Sequence, residues 1–159
     1  MQRRGKTLLS HNFHAYEFMC RCCRKLLLWP ELVEALQDLR TTLGAPIRIN
    51  SGYRCPRHNR GVGGSPTSQH LLGKAADIVV PGHNVADVYE LVHEKAPFTK
   101  GGVGLYPDEG FVHVDIRGKK ARWGRVNGIM VPIEEAYDYA QTNDTTPDSP
   151  TVFVHPSQS

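Results

Sequence analysis

Apolar residues along the chain fall into short periodic blocks separated by loops. The clearest block has helical spacing: Leu32, Val33, Leu36, Leu39 and Leu43 follow Pro30 and stop at Gly44. Proline suits a first helical turn, where an N–H would be unpaired anyway, and glycine readily takes the left-handed conformation that ends a helix. This predicts a core helix from Pro30. A second amphipathic helix is predicted over VADVYELVHEK, capped by Asn84, with Val85, Val88, Leu91 and Val92 inward. APIRIN reads as a short strand with Ile47 and Ile49 on one face, and KAADIVV as another. GGVGLY and FVHVDI are strands joined by the turn signal PDEG, hence a predicted hairpin. Helix, strand, loop, strand, helix, hairpin is an α+β pattern: a small antiparallel sheet flanked by helices.

The segment SGYRCPRHNRGVGGSPTSQH is rich in Gly, Pro, Ser and Asn, so it reads as a long loop with one short helix near 56–60. Long loops inside compact domains often carry function. Residues 1–12 read as a flexible arm, anchored on the body by Phe13, Tyr16 and Phe18. Residues 13–140 read as one domain, and the polar, Pro-containing residues 141–159 as a flexible tail. A length of 159 residues suits a single core. With 40% hydrophobic and 22% charged residues, whole-chain disorder is excluded. No apolar run approaches the ~18–20 residues of a membrane span. MQRRGKTLLSHNFH lacks the apolar stretch of a secretory signal, so cytoplasmic synthesis is expected. The net charge of +3 is scattered and no nucleic-acid motif accompanies it, so no nucleic-acid partner is expected. Nothing argues against a monomer.

Potential metal ligands lie in segments that a fold can bring together. SQHLLGKAADI holds His70 and Asp77, and FVHVDI holds His113 and Asp115. Strand side chains alternate, so Phe111, His113 and Asp115 share one face, while Val112, Val114 and Ile116 take the core side. That leaves His113 and Asp115 on the opposite, accessible face. Asp77 likewise lies opposite Ile78 and Val80. If the two strands are neighbours, Asp77 and His113 meet, and His70 reaches them from the preceding loop. Two histidines and one carboxylate, with a fourth position left to water, are what a catalytic zinc needs. One Zn2+ per chain is expected. The cysteines are Cys20, Cys22, Cys23 and Cys55. The run CRCC is not read here as the C-x-x-C pairing of a zinc ribbon. Reduced thiols partly packed in the core are the leading reading; a disulfide from Cys55 and a structural metal clip are the alternatives.

The motifs SGYRCPRHN, SQHLLGKAADI and GGVGLYPDEGFVHVDIRG resemble the zinc D-alanyl-D-alanine carboxypeptidase and murein endopeptidase family, in its short-chain branch of peptidoglycan peptidases. Hedgehog signalling domains and the vancomycin-resistance dipeptidase share that metal core. The resemblance spans roughly 13–123. It implies a hedgehog-like fold, with His70, Asp77 and His113 as zinc ligands. It also implies that Arg54 supports the substrate carbonyl or carboxylate, and that Ser68 contacts substrate or supports a ligand. Several relatives place a catalytic carboxylate three residues before the last ligand, or a histidine two before. Here those positions are Gly110 and Phe111. Asp115 is then the leading general base, with a role in orienting His113 or Arg54 as its rival; Asp108 and Glu109 are further candidates. Tyr106 and Trp123 are read either as aromatic walls for a peptide or as core residues.

The resemblance implies a zinc peptidase acting on peptidoglycan stem peptides or cross-links, as carboxypeptidase or endopeptidase. A phage or prophage lytic enzyme reaching the cell wall by release or on a particle would fit. The alternative is a weakly active or inactive zinc-containing module that binds cell wall or a partner. An iron-oxygenase triad built on His113 and Asp115 would need a later histidine, and only His155 in the tail is available.

Overall fold

The computed structural model describes residues 7–143 and 146–147. Among them are four α-helices: α1 (Pro30–Leu43), α2 (Pro56–Gly61), α3 (Val85–Val92) and α4 (Ile133–Thr142). Six strands accompany them: β1 (Arg48–Ser51), β2 (Ala75–Val79), β3 (Gly102–Tyr106), β4 (Phe111–Asp115), β5 (Ala121–Val126) and β6 (Ile129–Val131). The strands form one sheet in the order β1-β2-β4-β3-β5-β6. This is the expected α+β architecture, with one correction: β3 and β5 run parallel, and the other neighbouring pairs are antiparallel.

The helices form where the periodicity places them. Leu32, Leu36 and Leu39 of α1 are fully buried, and Gly44 ends the helix at φ 63° with its N–H on the Arg40 carbonyl. The Asn84 side chain accepts the Ala86 N–H at 2.8 Å and caps α3. Leu91, expected inward, is 44% exposed; Tyr89 packs in its place. Phe13 and Phe18 meet edge to face at 5.8 Å and are fully buried. Each stabilises the arm's attachment by roughly 1.5–3 kcal/mol. Tyr16, the third expected anchor, is 51% exposed. Upstream, Leu8 bridges His14. The core joins these residues to Ala76, Ile78, Val112, Val114, Val103 and Leu105, one face of the sheet.

β5, β6 and most of α4 lie within the expected domain 13–140, but no strand or helix was expected there. β5 and β6 join through Asn127 and Gly128, at φ 51° and 76°, the left-handed pair of a primed two-residue hairpin. Gly124 of β5 lets α4 approach, since a Cβ there would overlap that of Ala136. α4 runs to Thr142, past the expected boundary at 140. Residues 1–6 of the expected arm, and most of the expected tail with His155, lie outside the described residues.

Candidate active site

The other face of the sheet carries a single cross-strand row. Asp77 of β2 pairs with His113 of β4, His113 with Gly104 of β3, and Gly104 with Trp123 of β5. Strand alternation puts all four on one face. Gly104 is bare, and a Cβ there would lie 2.5 Å from the Trp123 ring. The indole therefore lies over Gly104, and its ring centre comes within 5.0 Å of that of His113. The next row repeats the device. A Cβ on Gly102 would meet Asp115 Oδ2 and the Arg117 guanidinium. The Gly-x-Gly pattern of β3 thus clears the floor of the site.

His70 arrives from outside the sheet. It sits on a single 3-10 turn, Gln69–Leu72, capped by Ser68 Oγ on the His70 N–H and ended by Gly73 at φ 71°. Its Nδ1 donates to the Gly52 carbonyl at 2.6 Å, which leaves Nε2 bare, 3.2 Å from Asp77 Oδ1. His113 shows the mirror arrangement. Its Nε2 donates to Asp115 Oδ2 at 2.8 Å, which leaves Nδ1 3.1 Å from the same Asp77 oxygen. Both outward nitrogens face acceptors, and a ring that keeps its proton there turns an unprotonated nitrogen toward Asp77. In that tautomer three lone pairs, from His70 Nε2, Asp77 Oδ1 and His113 Nδ1, converge. All three residues are buried, and their ligand atoms lie within 4.8 Å of one another. A cation resolves that repulsion, so the donor set fits a metal ion, and its N/N/O composition fits zinc.

Without a metal, a proton on His113 is the other answer to the same convergence. Burial pushes the Asp77 carboxyl up, but His70 and His113 outweigh it and hold the group well below the usual carboxylate range. Burial pushes the His113 imidazole down; Asp115 and Asp77 prevail and raise it. Burial also opposes the charge on Asp115, yet His113 and Arg117 keep it ionised far into acid.

Asp115 departs from expectation. It is fully buried, not on an accessible face, and it does not line the cleft. Its Oδ1 accepts the Gly102 N–H (2.8 Å), the Arg117 N–H (3.2 Å) and Arg117 Nε (2.9 Å), and its Oδ2 accepts Arg117 Nη2 (2.7 Å) besides His113. Asp108 is also committed, accepting the Asn127 N–H at 2.6 Å and the Tyr139 hydroxyl at 2.7 Å. Glu109, in the same turn, lines the cleft beside the histidines. Gly110 holds the turn at φ 73°.

Arg54 donates from Nε to Ser51 Oγ (3.0 Å), from Nη1 to Asn59 Oδ1 (3.3 Å) and from Nη2 to Asp77 Oδ2 (3.0 Å). The cleft it borders encloses about 580 Å³ and includes Ser68, Tyr106, Trp123, Arg117 and Arg125. Tyr106 and Trp123 are therefore walls of the cleft, tied by the indole N–H on the Tyr106 hydroxyl at 2.8 Å. Arg117 and Arg125 escaped the sequence reading. The alternation Trp-x-Arg within ARWGRV, which puts Trp123 and Arg125 on one face, was a usable signal for the second.

A buried His-Asp-His cluster on an open α+β sheet, beneath a polar cleft, is a candidate metal centre. Comparison with known proteins agrees. The Peptidase M15 family matches residues 11–115, and the chain belongs to that family. Among curated relatives, it is 32% identical over 96 residues to the probable peptidoglycan L,D-endopeptidase MepK of Haemophilus influenzae, covering 54% of this chain and 49% of that protein. It is 31% identical over 114 residues to the peptidoglycan L,D-endopeptidase MepK of Escherichia coli K12, covering 67% of this chain and 59% of that one. The chain thus spans only half to three-fifths of the length of these relatives.

Proposed function

We propose that this chain is a zinc-dependent peptidase that hydrolyses amide bonds in peptidoglycan peptides, as an endopeptidase in preference to a carboxypeptidase. The observation that carries the reading is the convergence of His70 Nε2, Asp77 Oδ1 and His113 Nδ1 at one face of the cleft, in a member of the peptidase M15 family. The endopeptidase preference rests on the activity named for the two relatives.

His70, Asp77 and His113 would hold the metal. Bound there, zinc supplies Lewis acidity and lowers the pKa of water to about 7. Glu109 takes the proton of the attacking water and returns it to the leaving amine, as the carboxylate that lines the cleft without the protein bonds that occupy Asp108 and Asp115. Asp115 is a positioning residue: it fixes the His113 tautomer so that Nδ1 faces inward. Arg54 holds Asp77 through Oδ2, and its remaining N–H groups stabilise charge developing on the substrate carbonyl oxygen. The Ser68 hydroxyl, whose oxygen already accepts the His70 N–H, offers its proton to a substrate acceptor. Arg117 and Arg125 suit the carboxylates of stem peptides.

The test is incubation of the zinc-loaded protein with purified peptidoglycan, with and without chelator, reading products by mass spectrometry. Chelator-sensitive fragments cut within the peptides are expected. Release of D-alanine alone would replace endopeptidase by carboxypeptidase. No product from several wall chemistries, with metal bound, would overturn the enzyme in favour of a binding module.

A further inference from the structure

A second cluster lies outside this cleft. The sulfurs of Cys20, Cys23 and Cys55 lie within 4.8 Å of one another. Tetrahedral zinc with Zn–S bonds of about 2.3 Å holds its sulfurs ~3.8 Å apart, so the three are within a small adjustment of a ligand set. The spacing agrees and corrects the sequence reading: Cys20 and Cys23 form a C-x-x-C pair, with Cys22 as its second inner residue. The backbone agrees too. The N–H groups of Cys22, Cys23 and Cys55 converge on Cys20 Sγ, the last at 3.4 Å, and the His58 N–H donates to Cys55 Sγ at 3.4 Å. Such N–H···S bonds favour the thiolate that a metal needs. The Cys22 thiol, which is exposed, meets that of Cys55, next to the three.

We propose that Cys20, Cys22, Cys23 and Cys55 hold a structural zinc ion, distinct from the metal of the cleft. Four thiolates on a divalent cation leave two negative charges, and Arg21, Arg24, Lys25 and Arg57 flank the ligands in the chain. The ion clips the N-terminal segment to the loop that serves the cleft. Cys55 follows Arg54, and Gly52, whose carbonyl orients His70, lies against the Phe18 backbone. Tyr53 donates its N–H to the Phe18 carbonyl at 2.8 Å in the same contact.

Cobalt substitution of the full chain separates the two sites, because only thiolates give sulfur-to-cobalt charge-transfer absorption. The wild type should bind two Co2+ per chain and show that band. The His70→Ala/His113→Ala variant should bind one and keep the band. Cys23→Ser should bind one at the cleft and lose the band, and Cys22→Ser should weaken cobalt at the thiolate site at least about tenfold. Cys22 and Cys23 are exposed, so these exchanges spare the core. Zinc should raise Tm in the histidine double variant, and should no longer do so when Cys23→Ser is added to that variant. One cobalt per chain without the band, or a disulfide found by thiol titration in protein freshly purified without reductant, would overturn the proposal.

Discussion

Replacing Asp115 by Asn separates a residue that positions from one that transfers protons. The exchange keeps the volume and removes the charge. A carboxamide has one oxygen where the carboxylate has two. If that oxygen keeps the Gly102 N–H and Arg117 Nε, the new NH2 faces two donors, Arg117 Nη2 and His113 Nε2. Arg117, with its side chain 31% exposed, can turn to water. His113 is buried and escapes only by moving its proton to Nδ1, the nitrogen that faces Asp77. Hydrogen bonds to charged groups contribute roughly 1.5–3 kcal/mol, and rehydration of Arg117 puts the net loss near 2 kcal/mol. For a domain of this size that lowers Tm by roughly 4–8 °C. Displacing the tautomer should weaken metal binding by about 10–100-fold. Thermal unfolding of the stripped protein, competitive chelator titration and turnover across pH at saturating zinc read the three effects. Excess zinc should restore most of kcat, and the acid limb of the pH profile should survive. A variant with unchanged zinc affinity whose kcat collapses with loss of that limb would show Asp115 to be the base.

Glu109→Gln should lower kcat by about 10²–10⁴-fold while zinc content stays at the wild-type level; retained turnover would remove Glu109 from the mechanism. Gly104→Ala drives a methyl group into the Trp123 ring, so it should cost roughly 1–3 kcal/mol and change indole fluorescence, read by unfolding and emission spectra. The pH dependence follows from the signs of the shifts. Without metal, the raised pKa of His113 stabilises the fold below about pH 6.5, and that contribution is lost as pH climbs through the raised value. The lowered pKa values of Asp77 and Asp115 contribute above about pH 4, and that stability fades as pH falls further. Metal binding needs His113 neutral, so the Tm gap between zinc-loaded and stripped protein should widen from pH 6 to pH 8. A constant gap would show that His113 does not bind the ion.

The site was legible where it depended on local period. Alternation alone put His113 and Asp77 on the non-core faces of their strands, and the register Asp77–His113 is the pairing that the sequence allowed only as a condition. The same rule misjudged Asp115. Alternation names a face but not what covers it, and Arg117 folds back over that face into the space above Gly102. Trp123 was left between cleft wall and core for a different reason. Its position requires β5 to lie parallel beside β3, a long-range pairing that no local pattern encodes. Within ARWGRV the buried residues are Gly124 and Val126, so the strand lacks an apolar stripe, although the Asn127–Gly128 turn signalled a hairpin there. The cysteines show the reverse case: the spacing was present in the chain, and only the folded turn that brings Cys55 beside it made the spacing informative.

Each buried carboxylate of the candidate site, Asp77 and Asp115, has its own arginine, and this bears on what the site can do. Asp77 carries Arg54 on the oxygen turned away from the histidines, and Asp115 carries the Arg117 fork across both oxygens. Two carboxylates and two guanidiniums cancel, and neutral imidazoles add nothing. The site therefore presents donor atoms without net formal charge. A divalent cation held there keeps its full charge for polarising a carbonyl, whereas unpaired carboxylates would offset it. The same pairing answers the cost of burial, since an isolated carboxylate at these positions would protonate and cease to be a ligand or an acceptor. Lysine would supply the charge but not the planar fork that spans both Asp115 oxygens while leaving Oδ2 open to His113. The arginines would thus set the electrophilicity of an ion held there, and Arg117, through Asp115, sets the direction in which His113 points.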